Sequence, residues 1–285
     1  MKRLLPLLIL IGLAAAPAGC IPATTPAPTA TATATPTPDP DSWNLVWADE
    51  FEQPDGSAPD PEKWIHQHGG SGWGNAELEY YAESRDVSYI ENGMLVIKAD
   101  RAPGTGHDYT SARMNTLYKA DWMYGRIEIR AKLPNTQGIW PAFWMLPSKV
   151  TYGTWPAGGE IDIMEMIGKE PGRVHGTLHY GNPHTFTGGT FDLPDGETFA
   201  DDFHVFAVEW DETEFRWYVD DQLYYSKSDW FTSYKDSAYP APFNQKFYLL
   251  INMAVGGYWP GNPDESSVFP QYLYVDYVRI YQHPQ

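Results

Sequence analysis

Along most of the chain the apolar positions recur at every second residue. Arg126-Ile127-Glu128-Ile129-Arg130-Ala131-Lys132-Leu133 alternates almost without interruption, and Met94-Leu95-Val96-Ile97-Lys98-Ala99 and Phe215-Arg216-Trp217-Tyr218-Val219 follow the same tendency. Successive side chains of a strand point to opposite faces, so this period marks half-buried strands. Asp220-Asp221 reads as a tight turn joining Phe215–Val219 to a strand over residues 222–225. His204–Trp210 and residues 246–255 and 272–281 add strands with turn residues between them. Nowhere does a spacing of three and four sustain an amphipathic helix of about ten residues or more. The pattern predicts an all-β fold, one antiparallel β-sandwich or jelly roll of roughly a dozen or more strands, without a repeat or a second domain.

The beginning of the chain departs from this pattern. Residues 1–20, MKRLLPLLILIGLAAAPAGC, carry Lys2 and Arg3, then an apolar run to Leu13, then small residues, which is the plan of a secretory signal. The run is short for a membrane span. Ala18-Gly19-Cys20 resembles the bacterial lipobox, whose cysteine is lipidated, although Pro17 stands where that motif usually has leucine or a similar residue. Cys20 is therefore expected to be a lipid anchor, the alternative being plain secretion. Residues 21–42 are almost wholly Pro, Thr and Ala and read as an extended spacer. Residues 43–285 are left as the folded domain, expected outside the cytoplasm, at the cell surface or secreted, and monomeric. Cys20 is the one cysteine of the chain, so the domain has no disulfide and must be stabilised by burial, for which roughly 240 residues suffice.

A formal net charge of −18 repels polyanions and leaves no basic stripe. Nucleic acid is thereby excluded as a partner, a membrane is contacted only through the anchor, and sulfated or uronic polymers are disfavoured. The chain has 12 Trp and 19 Tyr, a composition suited to neutral sugars, whose C–H faces stack on aromatic rings, although many of these rings must be core.

Gly158-Gly159-Glu160-Ile161-Asp162-Ile163-Met164-Glu165-Met166-Ile167-Gly168 gathers three carboxylates in an otherwise apolar segment. On a helix Glu160 and Glu165 would point about 140° apart. On a strand Glu160 and Asp162 share a face, but Glu165 lies an odd interval away and faces wrongly unless a β-bulge absorbs one residue. A bulge near Ile163 or Met164 is therefore expected. It leaves the two glutamates roughly 13 Å apart at Cα, a gap that long side chains can narrow to the roughly 5 Å needed by a retaining glycosidase. Like charges this close raise at least one pKa and keep a proton on the acid. Two other readings remain open on the motif alone: a solvent-facing edge strand, and a site for a hard cation such as calcium or manganese.

With its surroundings, this stretch resembles glycoside hydrolase family 16, particularly the laminarinase-like endo-1,3-β-glucanases. The family signature is E-x-D-x-E or, with one inserted residue, E-x-D-x-x-E, and residues 160–165 have the inserted form. The ordered matches run from VWADEF through GNAELEYY, GMLVIKA, YGRIEIRAKLP, GIWPAFWMLP, HGTLHYG, FAVEW and INMAVGG to VDYVRIYQ. The resemblance implies a curved jelly roll with a concave substrate cleft, Glu160 as nucleophile, Glu165 as acid/base and Asp162 as their assistant. It implies retaining endo-hydrolysis of β-1,3-glucosidic bonds in a neutral polysaccharide, laminarin-like or mixed-linkage, with no cofactor for catalysis. The alternatives are an agarase-type hydrolase of the same family and a non-catalytic β-glucan-binding module, whose known examples lack the catalytic glutamates.

Further positions follow from the resemblance. Trp140 and Trp144, which share a strand face, and Trp155 match sugar-stacking positions, while Asn75 and Arg113 match residues that hold sugar hydroxyls. His179 is placed to reach the catalytic groups, and Asn252 and Trp259 look like rim contacts on the leaving-group side. Structural hydrogen bonding or core packing is the competing role for the histidine and the tryptophans. Many members bind a structural calcium far from the chemistry; Asp276 matches its carboxylate ligand, with Glu50 and Gly93 as carbonyl donors, the competing reading being an ordinary solvated aspartate.

Overall fold

Seventeen strands in two sheets account for the regular structure of the computed structural model, which describes residues 43–104, 106–234 and 237–284. The predicted signal, Cys20 and the spacer lie outside the described residues. In the larger sheet the strand order is β15 (Gln222–Lys227), β14 (Phe215–Val219), β13 (His204–Trp210), β8 (Gly125–Lys132), β17 (Gln271–Gln282), β5 (Met94–Arg101), β6 (Tyr109–Ser111) and β3 (Glu79–Tyr81). On this sheet β1 (Asn44–Asp49) also pairs with β17, and β4 (Ser88–Glu91) with β5. In the second sheet the order is β12 (Thr185–Asp192), β11 (Arg173–Tyr180), β10 (Glu160–Glu165), β9 (Ile139–Pro147), β16 (Phe247–Val255), β7 (Arg113–Asn115) and β2 (Ile65–His66). Pairing is antiparallel throughout except between β3 and β6.

Alternate strand positions face inward because each sheet buries one face against the other. On β8, Ile127, Ile129 and Ala131 point into the core. They meet Phe143 and Met145 of β9, Ile161 and Ile163 of β10, and Phe247, Leu249, Ile251 and Met253 of β16. Asp220 and Asp221 form the expected hairpin turn between Val219 and Gln222, both with positive φ (48° and 61°), as the two central residues of a type I′ turn require. All nine residues of β16 are buried, although its pattern alternates only partly. Its inward side chains are core, and its outward ones form the floor of a cleft.

Candidate active site

The cleft crosses the outer face of the second sheet and has a volume of about 750 Å³. Alternation on β9 sends Trp140, Ala142, Trp144 and Leu146 into it, and β11 contributes His175, Thr177 and His179. On β10 the register against β9 runs Asp162 to Trp144 and then Met164 to Phe143, so Ile163 is the extra residue of a bulge. Against β11 the same slip falls between Asp162, opposite Thr177, and Glu165, opposite His175. Ile163 and Met164 both turn into the core, and Glu160, Asp162 and Glu165 all line the cleft. The bulge frees the Asp162 carbonyl from the ladder, and Trp217 of the opposite sheet donates its indole N–H to it at 2.9 Å.

Asp162 is the most enclosed of the three acids, only 3% exposed. Its burial holds its pKa well above the ordinary carboxylate range. Burial also raises Glu165 to about 8, with Asp162 adding to the shift and His179 opposing it. Trp140 donates its indole N–H to Glu165 Oε1 at 3.1 Å, which fixes that carboxyl and leaves its other oxygen to carry a proton. Glu160 is likewise raised, by burial and by Asp162, and His179 opposes this. Three carboxyl groups this close in a poorly solvated site cannot all ionise at neutral pH.

His179 reaches the catalytic acids as expected, with Nε2 3.3 Å from Asp162 Oδ2 and 3.8 Å from Glu160 Oε1. Its Nδ1 shares a hydrogen bond of 2.9 Å with Nε2 of His184. Trp155 packs on His184 with ring centroids 4.8 Å apart. Trp259 stands edge-on to Trp140, at 5.4 Å, on the rim. Arg113 is clamped between the rings of Trp73 and Trp144, 4.6 and 4.7 Å from their centroids, and its Nε donates to Gln67. Asn75 borders the cleft and donates to Glu77.

Asn252 lines the cleft. Expected on the rim, it is buried in the floor, where its Oδ1 accepts the Trp144 indole N–H at 2.7 Å and its Nδ2 donates to Tyr81. Its place on the central strand β16, hydrogen-bonded on both sides, puts it beneath the cleft and not at its edge.

Sequence reading missed Trp73, Glu77, His175, Thr177, His184 and Phe186, all of which line the cleft. Phe186 has its signal in register alone: it lies opposite His179 across β11 and β12.

The three positions matched to a calcium site by resemblance fall near one another along β17. At Asp276 the ladder slips between Val275 and Tyr277, and there β17 exchanges its β5 partner for β1. Val275 pairs with Leu95, just beyond Gly93, and Val278 pairs with Asp49, just before Glu50. Asp276 Oδ2 accepts from Arg130 at 2.6 Å, and the Glu50 side chain is held by Arg279. The Asp276 carboxylate is thus engaged by Arg130, which leaves its other oxygen as a hard donor of the kind that suits calcium.

A two-sheet jelly roll with paired carboxylates in an aromatic-walled cleft defines a carbohydrate-cleaving enzyme, a glycoside hydrolase. The chain belongs to the glycosyl hydrolases family 16, whose family model matches residues 75–278. It is 47% identical over 249 residues to a beta-glucanase of Rhodothermus marinus, covering 84% of this chain and 85% of that protein. The solved laminarinase of Rhodothermus marinus superposes with a TM-score of 0.76 at 45% identity, over 85% of this chain and 98% of that one. The laminarinase catalytic domain of Thermotoga maritima superposes with a TM-score of 0.74 at 43% identity, over 86% of this chain and all of that one.

Proposed function

We propose that the protein is a retaining endo-β-1,3-glucanase acting on laminarin-like or mixed-linkage β-glucan. The observation that carries this reading is the bulge at Ile163, which turns Glu165 onto the face of Glu160 and Asp162 inside a cleft walled by tryptophans. The names of the relatives supply the linkage.

Glu160, the more accessible acid beside His179, carries the negative charge and attacks the anomeric carbon. As that bond forms, the glycosidic C–O bond breaks and Glu165 passes its proton to the departing oxygen. Glu165, now ionised, takes a proton from water, whose oxygen attacks the same carbon and releases Glu160. Asp162 stays protonated and stabilises the charge on Glu160. Trp140, Trp144 and Trp155 stack on sugar rings, and Asn75 and Arg113 meet sugar hydroxyls. No step needs a cofactor. Calcium at Asp276, with carbonyls of Glu50 and Gly93, would serve the fold, and the Cys20 signal favours an exported, lipid-anchored enzyme.

Reducing-sugar release from laminarin, curdlan, lichenan and agarose tests the reading. Release from laminarin and curdlan is expected, and activity confined to agarose would overturn it.

A further inference from the structure

Glu79 on β3 is fully buried, yet the function above gives it no task. Its Oε2 accepts the main-chain N–H of Val255 at 2.6 Å, and its Oε1 has no partner. Two residues earlier Glu77 borders the cleft, within hydrogen-bonding reach of Glu79.

Donor chemistry fixes the direction of the bonds around Glu77. An indole N–H can only donate, so Trp144 gives its hydrogen to Asn252 Oδ1 at 2.7 Å. That orients the amide, and Asn252 Nδ2 donates to the Tyr81 hydroxyl at 3.1 Å. Tyr81 then donates to Glu77 Oε2 at 3.0 Å, while Asn75 Nδ2 donates to Glu77 Oε1 at 3.1 Å. Both chains of donors end on Glu77, one on each of its oxygens, an arrangement that suits a charged, acceptor-only carboxylate. A second buried charge beside it would be unpaired and costly. A neutral Glu79 avoids that, and its unpartnered Oε1 is the atom that can hold the hydrogen and donate it to Glu77.

The other groups facing Glu79 fit this assignment. They are Tyr81 on its own strand, Tyr109 opposite it on β6, and the main chain of Val255 on β16. Arg113 on β7 faces Tyr81. Burial and the neighbouring Glu77 push the Glu79 carboxyl up to about 9.

We propose that Glu77 and Glu79 share one proton and act as a positioning pair, locking Asn75 and the Trp144 ring in place and so setting the affinity of the cleft for its sugar chain. The pair takes no part in bond cleavage. The ligand named here rests on the glucanase reading; the network itself does not.

The test uses the whole protein, measuring kcat and KM on laminarin across pH together with the indole N–H resonance of Trp144, assigned by its loss in Trp144→Phe. Glu77→Gln sets an amide against two donors. It should raise KM about tenfold with kcat nearly unchanged, the signature of lost uniform binding, and shift the Trp144 resonance. Glu79→Gln mimics the neutral acid; it should keep the wild-type KM and abolish the rise in KM expected of the wild type above about pH 9. Should Glu77→Gln fail to fold, Tyr81→Phe breaks the same chain one link along and should also raise KM. A Glu79→Gln variant as impaired as Glu77→Gln, a wild-type KM flat through that pH range, or an unmoved Trp144 resonance overturns the pair. If the wild type does not cleave laminarin, the glucanase reading fails, and the resonance still decides on the pair.

Discussion

The indole N–H of Trp217, on β14 of one sheet, donates to the main-chain carbonyl of Asp162, on β10 of the other, at 2.9 Å. This bond ties the hydrophobic core to the chemistry, because it satisfies a carbonyl at the bulge that aims Glu165. Gly176 of β11, between the residues that pair with Asp162 and Glu165, leaves room for it: a Cβ at that position would strike the Trp217 ring. Trp217→Phe should therefore destabilise the domain by about 1–3 kcal/mol, the penalty of a buried unsatisfied carbonyl. Gly176→Ala should be at least as damaging through overpacking. Thermal melts and laminarin assays check both, and a Trp217→Phe variant with unchanged melting and turnover would show that the bond is dispensable.

Glu160→Gln should fold and lose several orders of magnitude in kcat, because an amide cannot form the glycosyl ester. It should also melt no lower than the wild type, since it removes one of three crowded buried acids. A variant retaining more than a small percentage of the wild-type rate rules Glu160 out as the nucleophile.

The pH dependence follows from Glu165. Its folded pKa of about 8 lies above the 4.5 of an ordinary glutamate, so the folded state keeps a proton that the unfolded chain releases. This contribution to stability is complete below about pH 4.5 and is lost as pH rises through about 8. Activity needs the same proton, so kcat/KM should fall on the alkaline side with an apparent pKa near 8. Glu165→Gln should flatten this part of the stability profile, which melts across pH would show directly.

Deleting Ile163 converts E-x-D-x-x-E to E-x-D-x-E and removes the bulge. Glu165 would then lie four positions from Glu160, an even interval that keeps it on the cleft face. Met164 would take the single inward position, and the loss of one buried apolar side chain should cost about 2–5 kcal/mol. Partial laminarin hydrolysis at a lowered melting temperature is expected. Deleting Met164 should act alike, leaving Ile163 inward. A variant folded by circular dichroism but without any hydrolysis would contradict the placement of Glu165 as acid/base.

Chelation tests the proposed calcium apart from the chemistry. Asp276 sits on the larger sheet at the gap between β1 and β5, and the catalytic acids lie on the other sheet. EDTA should lower the melting temperature and leave turnover intact at temperatures where the protein stays folded. Complete inactivation under those conditions would place a metal in the cleft instead.

The sequence by itself determined the all-β class, the tight turn at Asp220-Asp221 and the need for a bulge near Ile163 or Met164. Each is local: side-chain alternation, the φ preferences of two adjacent residues, and the parity of the spacing from Glu160 to Glu165 are all visible in consecutive residues. Only the tertiary structure decided what meets across strands. It laid His179 opposite Glu160 and Phe186 opposite His179, brought Trp217 beneath the bulge, and buried Asn252 where a rim contact was expected. Register between strands distant in sequence depends on how two whole sheets bury their apolar faces together, and no short stretch of residues encodes that.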